Sequence, residues 1–377
     1  MRKTIISTIT VIGSICTLFT ANSTPIEGRW SEEKANEWYA ELPWLVGANF
    51  VPSTAINQLE MWQGDTFDPV TIDRELGWAA AIGMNTMRVY LHDIPYFEDA
   101  HGFLNRIDHF LEIADRHHIK IMFVIFDGVW HPGPKPGLQP EPTPHRHNSG
   151  WVQSPGKAIL ADPKLQDELK PYVQDLMKRF GQDDRVLVWD LFNEPDNMIL
   201  NSYGVNGSNI ELPREVKHAK VYELLEKTFE WAREMKPSQP LTAGIWGMFD
   251  LEKLKPIEEL SLEQSDVISF HCYENPEIGA AQVKALKKLN RPLFCTEYMA
   301  RGNDCKFEDF LPLYYWNEIA AYNWGLVNGK SQTIYPWDSW TQQYDAEPEL
   351  WFHDVFRKDG TPYDNAEVKL IKRLSTR

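Results

Sequence analysis

Apolar, strand-like runs alternate with helix-patterned stretches eight times along the 377 residues, with no linker between them. The strand runs are 45–50, 85–91, 119–126, 185–194, 241–246, 266–273, 291–297 and 324–327. Helical spacing fills 71–82, 104–117, 162–180, 214–235, a region ending near 263, then 278–289, 307–322 and 365–374. Strands joined through helices must run parallel, because a parallel pair needs a long crossover, and parallel sheets are covered on both faces. Eight such units predict closure into a (β/α)8 TIM barrel over 24–377, with a leading segment at 25–43 carrying Trp30, Trp38 and Tyr39. An open, doubly wound sheet is the rival. It carries a glycine-rich phosphate turn after its first strand, and no such turn follows Leu45–Phe50.

Local signals refine the frame. Asp162-Pro163 reads as a capped helix start, and Pro171 predicts a kink in the helix that follows. The connection 127–160 is rich in Pro, Gly and His and too polar for a core element. A loop of that length in a compact domain is usually functional or mobile. Its His131, His145 and His147 invite a metal reading, but no fixed carboxylate accompanies them, which favours a solvated loop and no metal.

Met1-Arg2-Lys3 followed by a small and apolar stretch to Thr20 predicts an export signal over 1–23, and a periplasmic or extracellular destination. A membrane anchor is the weaker alternative, since Thr, Ser and Gly interrupt the stretch; Ile15 before Cys16 argues against lipidation. No integral membrane span is expected further along. A formal charge of −16 lacks the basic footprint that nucleic acid or an anionic membrane requires. Cys272, Cys295 and Cys305 form neither a disulfide framework nor a zinc pattern, and packing is their expected role. The 15 Trp residues include several in loops, where indole faces can hold sugar rings.

The chemistry concentrates in Trp189-Asp190-Leu191-Phe192-Asn193-Glu194-Pro195, where a buried strand ends in a carboxylate. Pro292-Leu293-Phe294-Cys295-Thr296-Glu297-Tyr298 repeats the arrangement. Two glutamates at the carboxyl ends of two parallel strands are what a glycosidic bond needs: one to attack the anomeric carbon, one to protonate the leaving oxygen. Retention of configuration requires them about 5 to 5.5 Å apart. The attacking carboxylate must stay ionised beside a fixed cation and a hydroxyl donor, for which Arg88 and Tyr273 are suited. The proton donor needs a less polar pocket.

Asn193-Glu194-Pro195 at the end of strand four, with Glu297 ending strand seven, resembles the retaining glycoside hydrolases of clan A. Within that clan it looks most like family 5, which includes cellulases and β-mannanases. The resemblance runs from Leu45 to the C-terminus. It implies Glu194 as acid/base, Glu297 as nucleophile and Asn193 on the sugar 2-hydroxyl. It also implies Arg88 as support for the nucleophile, His271 and Tyr273 lining the site in contact with the nucleophile, and Trp337 as the aromatic platform. Trp130, Trp151, Trp246 and Trp340 compete for that last role. The chain departs from family 5 where Phe126-Asp127-Gly128 replaces the usual strand-three His, and where Gly325–Lys330 displaces the strand-eight Trp.

The expected activity is retaining β-glycoside hydrolysis of a polysaccharide or oligosaccharide, with no metal or organic cofactor. β-Mannoside, β-glucan and xylan remain open, and the long 127–160 connection hints at exo action. A transglycosylase would use the same residues. A non-catalytic carbohydrate-binding barrel would lack one Glu. An aldolase would want a Schiff-base Lys, and a metal hydrolase a His-rich set at strand ends; neither is present.

Overall fold

A computed structural model describes residues 26–197, 214–247 and 250–376; the expected export signal and the loop at 198–212 lie outside them. The eight strands are β1 (Val46–Asn49), β2 (Thr86–Tyr90), β3 (Lys120–Asp127), β4 (Val186–Asn193), β5 (Leu241–Gly244), β6 (Ile268–Cys272), β7 (Leu293–Tyr298) and β8 (Ala320–Asn323). They pair in parallel in the order β5-β4-β3-β2-β1-β8-β7-β6. A single bridge between Ile245 and Phe270 joins the two ends, with the His271 amide donating to the Ile245 carbonyl at 3.0 Å. The expected (β/α)8 barrel is therefore present.

Strand β3 shows how the sequence sorts its two faces. Met122 and Val124 point into the barrel, while Phe123 and Ile125 pack outward under the helices. The lower interior is apolar: Leu45, Met122, Val188, Val267, Phe294 and Tyr322 pack together, and Trp38, Tyr39 and Leu42 pack against them. Trp38 and Tyr39 meet Phe294 at ring separations of 6.4 and 5.5 Å, so the described part of the leading segment, 26–43, seals the bottom. Gly47 lets β1 and β2 approach, since a Cβ there would lie 1.8 Å from the Thr86 carbonyl oxygen. Climbing β2 two residues at a time, Thr86 bonds Tyr322 inside the barrel, then Arg88 and Tyr90 reach the open mouth. The polar chemistry thus rests on a sealed apolar base.

Two local expectations need correction. The stretch 162–180 is two helices, Pro163–Asp167 and Lys170–Phe180, rather than one kinked helix. Each proline sits in a first turn, where its missing N–H breaks no helical bond. The helix expected over 307–322 ends at Trp316, and β8 is Ala320–Asn323 rather than 324–327. Ala320 and Ala321 read as helix formers, but both are fully buried between β1 and β7, where small side chains fit. Glu318, at φ 56°, makes the break between helix and strand. Among the described residues, no helix is long and apolar enough to cross a membrane.

Candidate active site

Glu194 follows β4 directly, in the left-handed region at φ 48°. A non-glycine residue there costs about 1–3 kcal/mol, and such strain persists only where surrounding bonds hold it. Its amide donates to the Gly244 carbonyl at 2.8 Å, and its carbonyl accepts from the Asn197 amide at 3.1 Å. Asp190 and Asn193 are three residues apart, so a regular strand would point them to opposite faces. An irregularity in the β4–β5 register between them lets both reach Arg88.

The Arg88 guanidinium is fully buried and forks across the barrel mouth. It donates to Asp190 Oδ2 at 2.8 and 3.0 Å, Asn49 Oδ1 at 2.8 Å, Asn193 Oδ1 at 2.7 Å and Glu297 Oε1 at 2.9 Å. Tyr90 donates to the same Glu297 oxygen at 2.7 Å, and Tyr273 donates to Glu297 Oε2 at 2.8 Å. Three donors, one of them cationic, therefore surround the Glu297 carboxylate. The expected cation and hydroxyl are both in contact with it, and Tyr90 adds a second hydroxyl.

Glu194 has a different setting. Its Oε2 accepts from Asn197 Nδ2 at 2.7 Å, and its Oε1 lies 2.7 Å from His271 Nδ1. Burial pushes its carboxyl up to about 8, opposed by the Asn197 bond and reinforced by the nearby Asp196 carboxylate. It is therefore a protonated acid at neutral pH. Burial likewise depresses His271 to about 4 and keeps its ring uncharged. The short His271 contact is with Glu194, while Glu297 Oε2 stands 3.5 Å away. The expected contact with Glu297 is thus present, but the shorter one is made to Glu194. The cause is the β6–β7 register shift between Phe270 and His271, which sets His271 beside Glu297 in the ladder and turns its ring toward β4.

One oxygen of Glu194, one of Glu297 and His271 Nδ1 all lie within 4.8 Å of one another. That spacing suits two carboxyl groups acting on one anomeric carbon. The donor set is also compact enough for a cation, although Arg88 already brings positive charge to Glu297.

The cavity above these groups measures about 160 Å³. A cavity of about 150 Å³ takes up a single benzene-sized ring, so there is room for roughly one sugar ring. Its buried lining includes Asp127, Asn148, Trp151, Asn193 and Trp324, and its rim carries the less buried Trp130, Trp246, Tyr273 and Trp337. Of the five tryptophans weighed for the platform, Trp130, Trp151, Trp246 and Trp337 border the cavity and Trp340 does not, packing instead on Trp130; Trp337 stacks edge-on against Tyr273 at 5.1 Å. Asn193 spends its carbonyl on Arg88 and one amide hydrogen on Asp127 at 3.0 Å, leaving its second hydrogen for a ligand.

The sequence reading missed several contributors. Tyr90 lies two positions beyond Arg88 on the same strand face, so strand periodicity carries its signal. Asp127, where a His was expected, bonds Asn193 and Trp151 Nε1, the latter at 2.7 Å; burial raises its carboxyl to about 7. Trp324 follows the true end of β8, so the strand-eight tryptophan is not displaced. Nothing in the sequence marks Asn197. His147 is buried and bonds the Tyr335 carbonyl at 2.8 Å, which corrects the solvated-loop reading: its ring packs on Trp130 and His353. Cys272, Cys295 and Cys305 are free and buried, as packing residues should be.

No family model matches the sequence, and no curated protein sequence matches it. Solved structures do. A β-mannanase from the blue mussel Mytilus edulis superposes with a TM-score of 0.58 at 15% identity, over 89% of this chain and 92% of that one. An exo-β-1,4-mannosidase from Opitutaceae bacterium strain TAV5 gives 0.57 at 17% identity, over 88% of this chain and 59% of the mannosidase. This chain thus spans about three-fifths of that protein. A β-glucosidase, 1317, gives 0.56 at 11% identity over 89% and 98%. The fold is that of these glycosidase barrels. At such identities the likeness speaks for the barrel alone.

Proposed function

We propose that the protein is a retaining β-glycoside hydrolase. The observation that carries this reading is a pair of buried carboxyl groups within 4.8 Å, one protonated by burial and one held by Arg88 and two tyrosine hydroxyls. Glu297 attacks the anomeric carbon while Glu194 gives its proton to the departing glycosidic oxygen. A covalent glycosyl–Glu297 ester forms and the aglycone leaves. Glu194, now ionised, takes a proton from water, and that water displaces Glu297 to release the sugar. The rim tryptophans offer flat apolar faces to the rings. The structural neighbours named for mannosides and a glucoside make β-mannosides and β-glucosides the first substrates to test. The N-terminal sequence supports export, which suits an enzyme for external carbohydrate.

The test is a panel of 4-nitrophenyl β-mannoside, β-glucoside and β-xyloside, with wild type, Glu297→Ala and Glu194→Ala. Hydrolysis of at least one is expected, with Glu297→Ala inactive. Glu194→Ala should keep a slow reaction on this activated leaving group, accelerated by azide, which needs no general base. A 2-deoxy-2-fluoro glycoside should label Glu297 in the mass spectrum. Turnover by Glu297→Ala, or a label on another residue, would remove the proposed mechanism.

A further inference from the structure

We infer that the glycone side of the cavity is a dead end, so the enzyme takes one terminal, non-reducing sugar and acts as an exo-glycosidase. This rests on the hydrolase reading and fixes the substrate class of the same site. The aglycone oxygen must lie against Glu194, beyond β4, with Asn197 and Trp246 at that end of the cavity. The other end, over β1 and β2, is walled by Trp151 and Trp324, with Tyr90 packed behind them. Tyr90, Trp151 and Trp324 pack mutually edge-to-face at 5.1, 5.9 and 5.6 Å, and each is less than a tenth exposed. Trp151 is fixed by its bond to Asp127.

Behind the rings, the segment after β3 is fastened to the segment after β8, so the wall spans the strands between them. The Asn148 amide donates to the Ser331 carbonyl at 2.8 Å, and the His147 amide donates to Ser339 Oγ at 3.0 Å. Trp340 Nε1 donates to the His147 carbonyl at 2.8 Å. A polysaccharide continuing past the bound ring would have to part these segments and break those bonds.

Asn148 supplies the polar part of the wall. It lines the cavity with 1% of its surface exposed, and among the described residues neither heteroatom of its side chain has a hydrogen-bond partner. Leaving a buried amide unsatisfied is costly, and a terminal sugar brings hydroxyls there where a longer chain would bring its next linkage. Its left-handed backbone, at φ 51°, is one that Asn tolerates better than most residues.

The probes are 1,4-linked mannotriose and cellotriose as 4-nitrophenyl β-glycosides, each with and without a 4,6-O-benzylidene acetal on the terminal ring. Monosaccharide released first from the free trisaccharide, with no cleavage of the blocked one, is the expected result. Cleavage of the blocked compound, or disaccharide appearing first from the free one, overturns the exo assignment while leaving the hydrolase reading intact. Inertness toward the free compounds and the aryl monoglycosides sinks the hydrolase reading itself, and the exo assignment with it. Asn148→Ala should raise KM for the aryl monoglycoside by about tenfold with kcat changed far less. An unchanged KM removes Asn148 from recognition, because a structural role alone would act on stability and leave this split untouched.

Discussion

Replacing Asn197 with alanine should move the alkaline limb of activity upward. In the proposed mechanism Glu194 must carry a proton to assist departure of the aglycone, and its carboxyl sits at about 8, raised by burial and lowered by the 2.7 Å bond from Asn197. The limb in kcat/KM, which reports the free enzyme, is therefore expected near pH 8. A hydrogen bond to a charged acceptor contributes about 1.5–3 kcal/mol and one to a neutral acceptor about 0.5–1.5 kcal/mol. The difference, roughly 1 to 1.5 kcal/mol, is what Asn197 gives to the ionised form. At 1.36 kcal/mol per unit, that is about one unit of pH. Asn197→Ala should accordingly bring the limb to about 9. The substrate should be a β-linked disaccharide, because a sugar alkoxide cannot leave without the proton whereas a nitrophenolate nearly can. Monosaccharide release between pH 5 and 10 gives the profile. Asp196→Asn should shift the limb the other way, since the Asp196 carboxylate disfavours ionisation of its neighbour. A limb that stays still in Asn197→Ala, or moves down, would mean that Glu194 is not the group that must be protonated.

Stability should follow the same proton. Glu194 rises from an ordinary 4.5 to about 8 on folding, so its contribution is fully present below 4.5 and is lost as pH climbs through 8. Glu194→Gln cannot ionise; its unfolding free energy in urea should gain on wild type between pH 5 and 8.5, by an amount on the order of a few kcal/mol, and an advantage that is flat with pH would refute the burial argument. Arg88→Ala strips the cation from the buried Asp190 and should cost about 3–5 kcal/mol in chemical denaturation. Arg88→Lys keeps a charge but not the fork, so it should fold more stably than Arg88→Ala while its kcat remains depressed.

Much of this was legible in the chain because barrel strands repeat a simple rule. Buried parallel strands are continuous apolar runs, and a polar residue at the end of one stands at the mouth; Asn193, Glu194 and Glu297 are visible on that basis alone. The rule fails at β8, where Ala320 and Ala321 are helix formers by propensity and strand residues by crowding. It also fails for Asn197, Asn148 and His147, which enter the site through irregular segments whose course depends on distant partners such as Ser331, Ser339 and Tyr335. Periodicity does not encode such contacts. The short His271–Glu194 bond was missed for a related reason: two register shifts, one on β4–β5 and one on β6–β7, turn side chains that a regular ladder would aim elsewhere.

The proposed division of labour between the glutamates follows from where the buried Arg88 guanidinium goes. Four carboxyl groups, those of Asp127, Asp190, Glu194 and Glu297, crowd the barrel mouth, all of them nearly inaccessible to water. Arg88 bonds two of these, Asp190 and Glu297, and among the described residues makes no hydrogen bond to the others. Asp127 and Glu194 accept hydrogen bonds only from uncharged groups among the described residues, and burial drives them to about 7 and about 8, while Asp190 is raised by burial as well but is opposed by the Arg88 charge. Ionising either places a further uncompensated negative charge beside the rest, which a low-dielectric interior resists. In the proposed mechanism the acid is thus the glutamate that Arg88 does not bond, and the nucleophile the one it holds. Moving the cation, by breaking the fork at Asp190 or lengthening its reach toward β4, would erase the difference between two residues that are chemically identical in the unfolded chain.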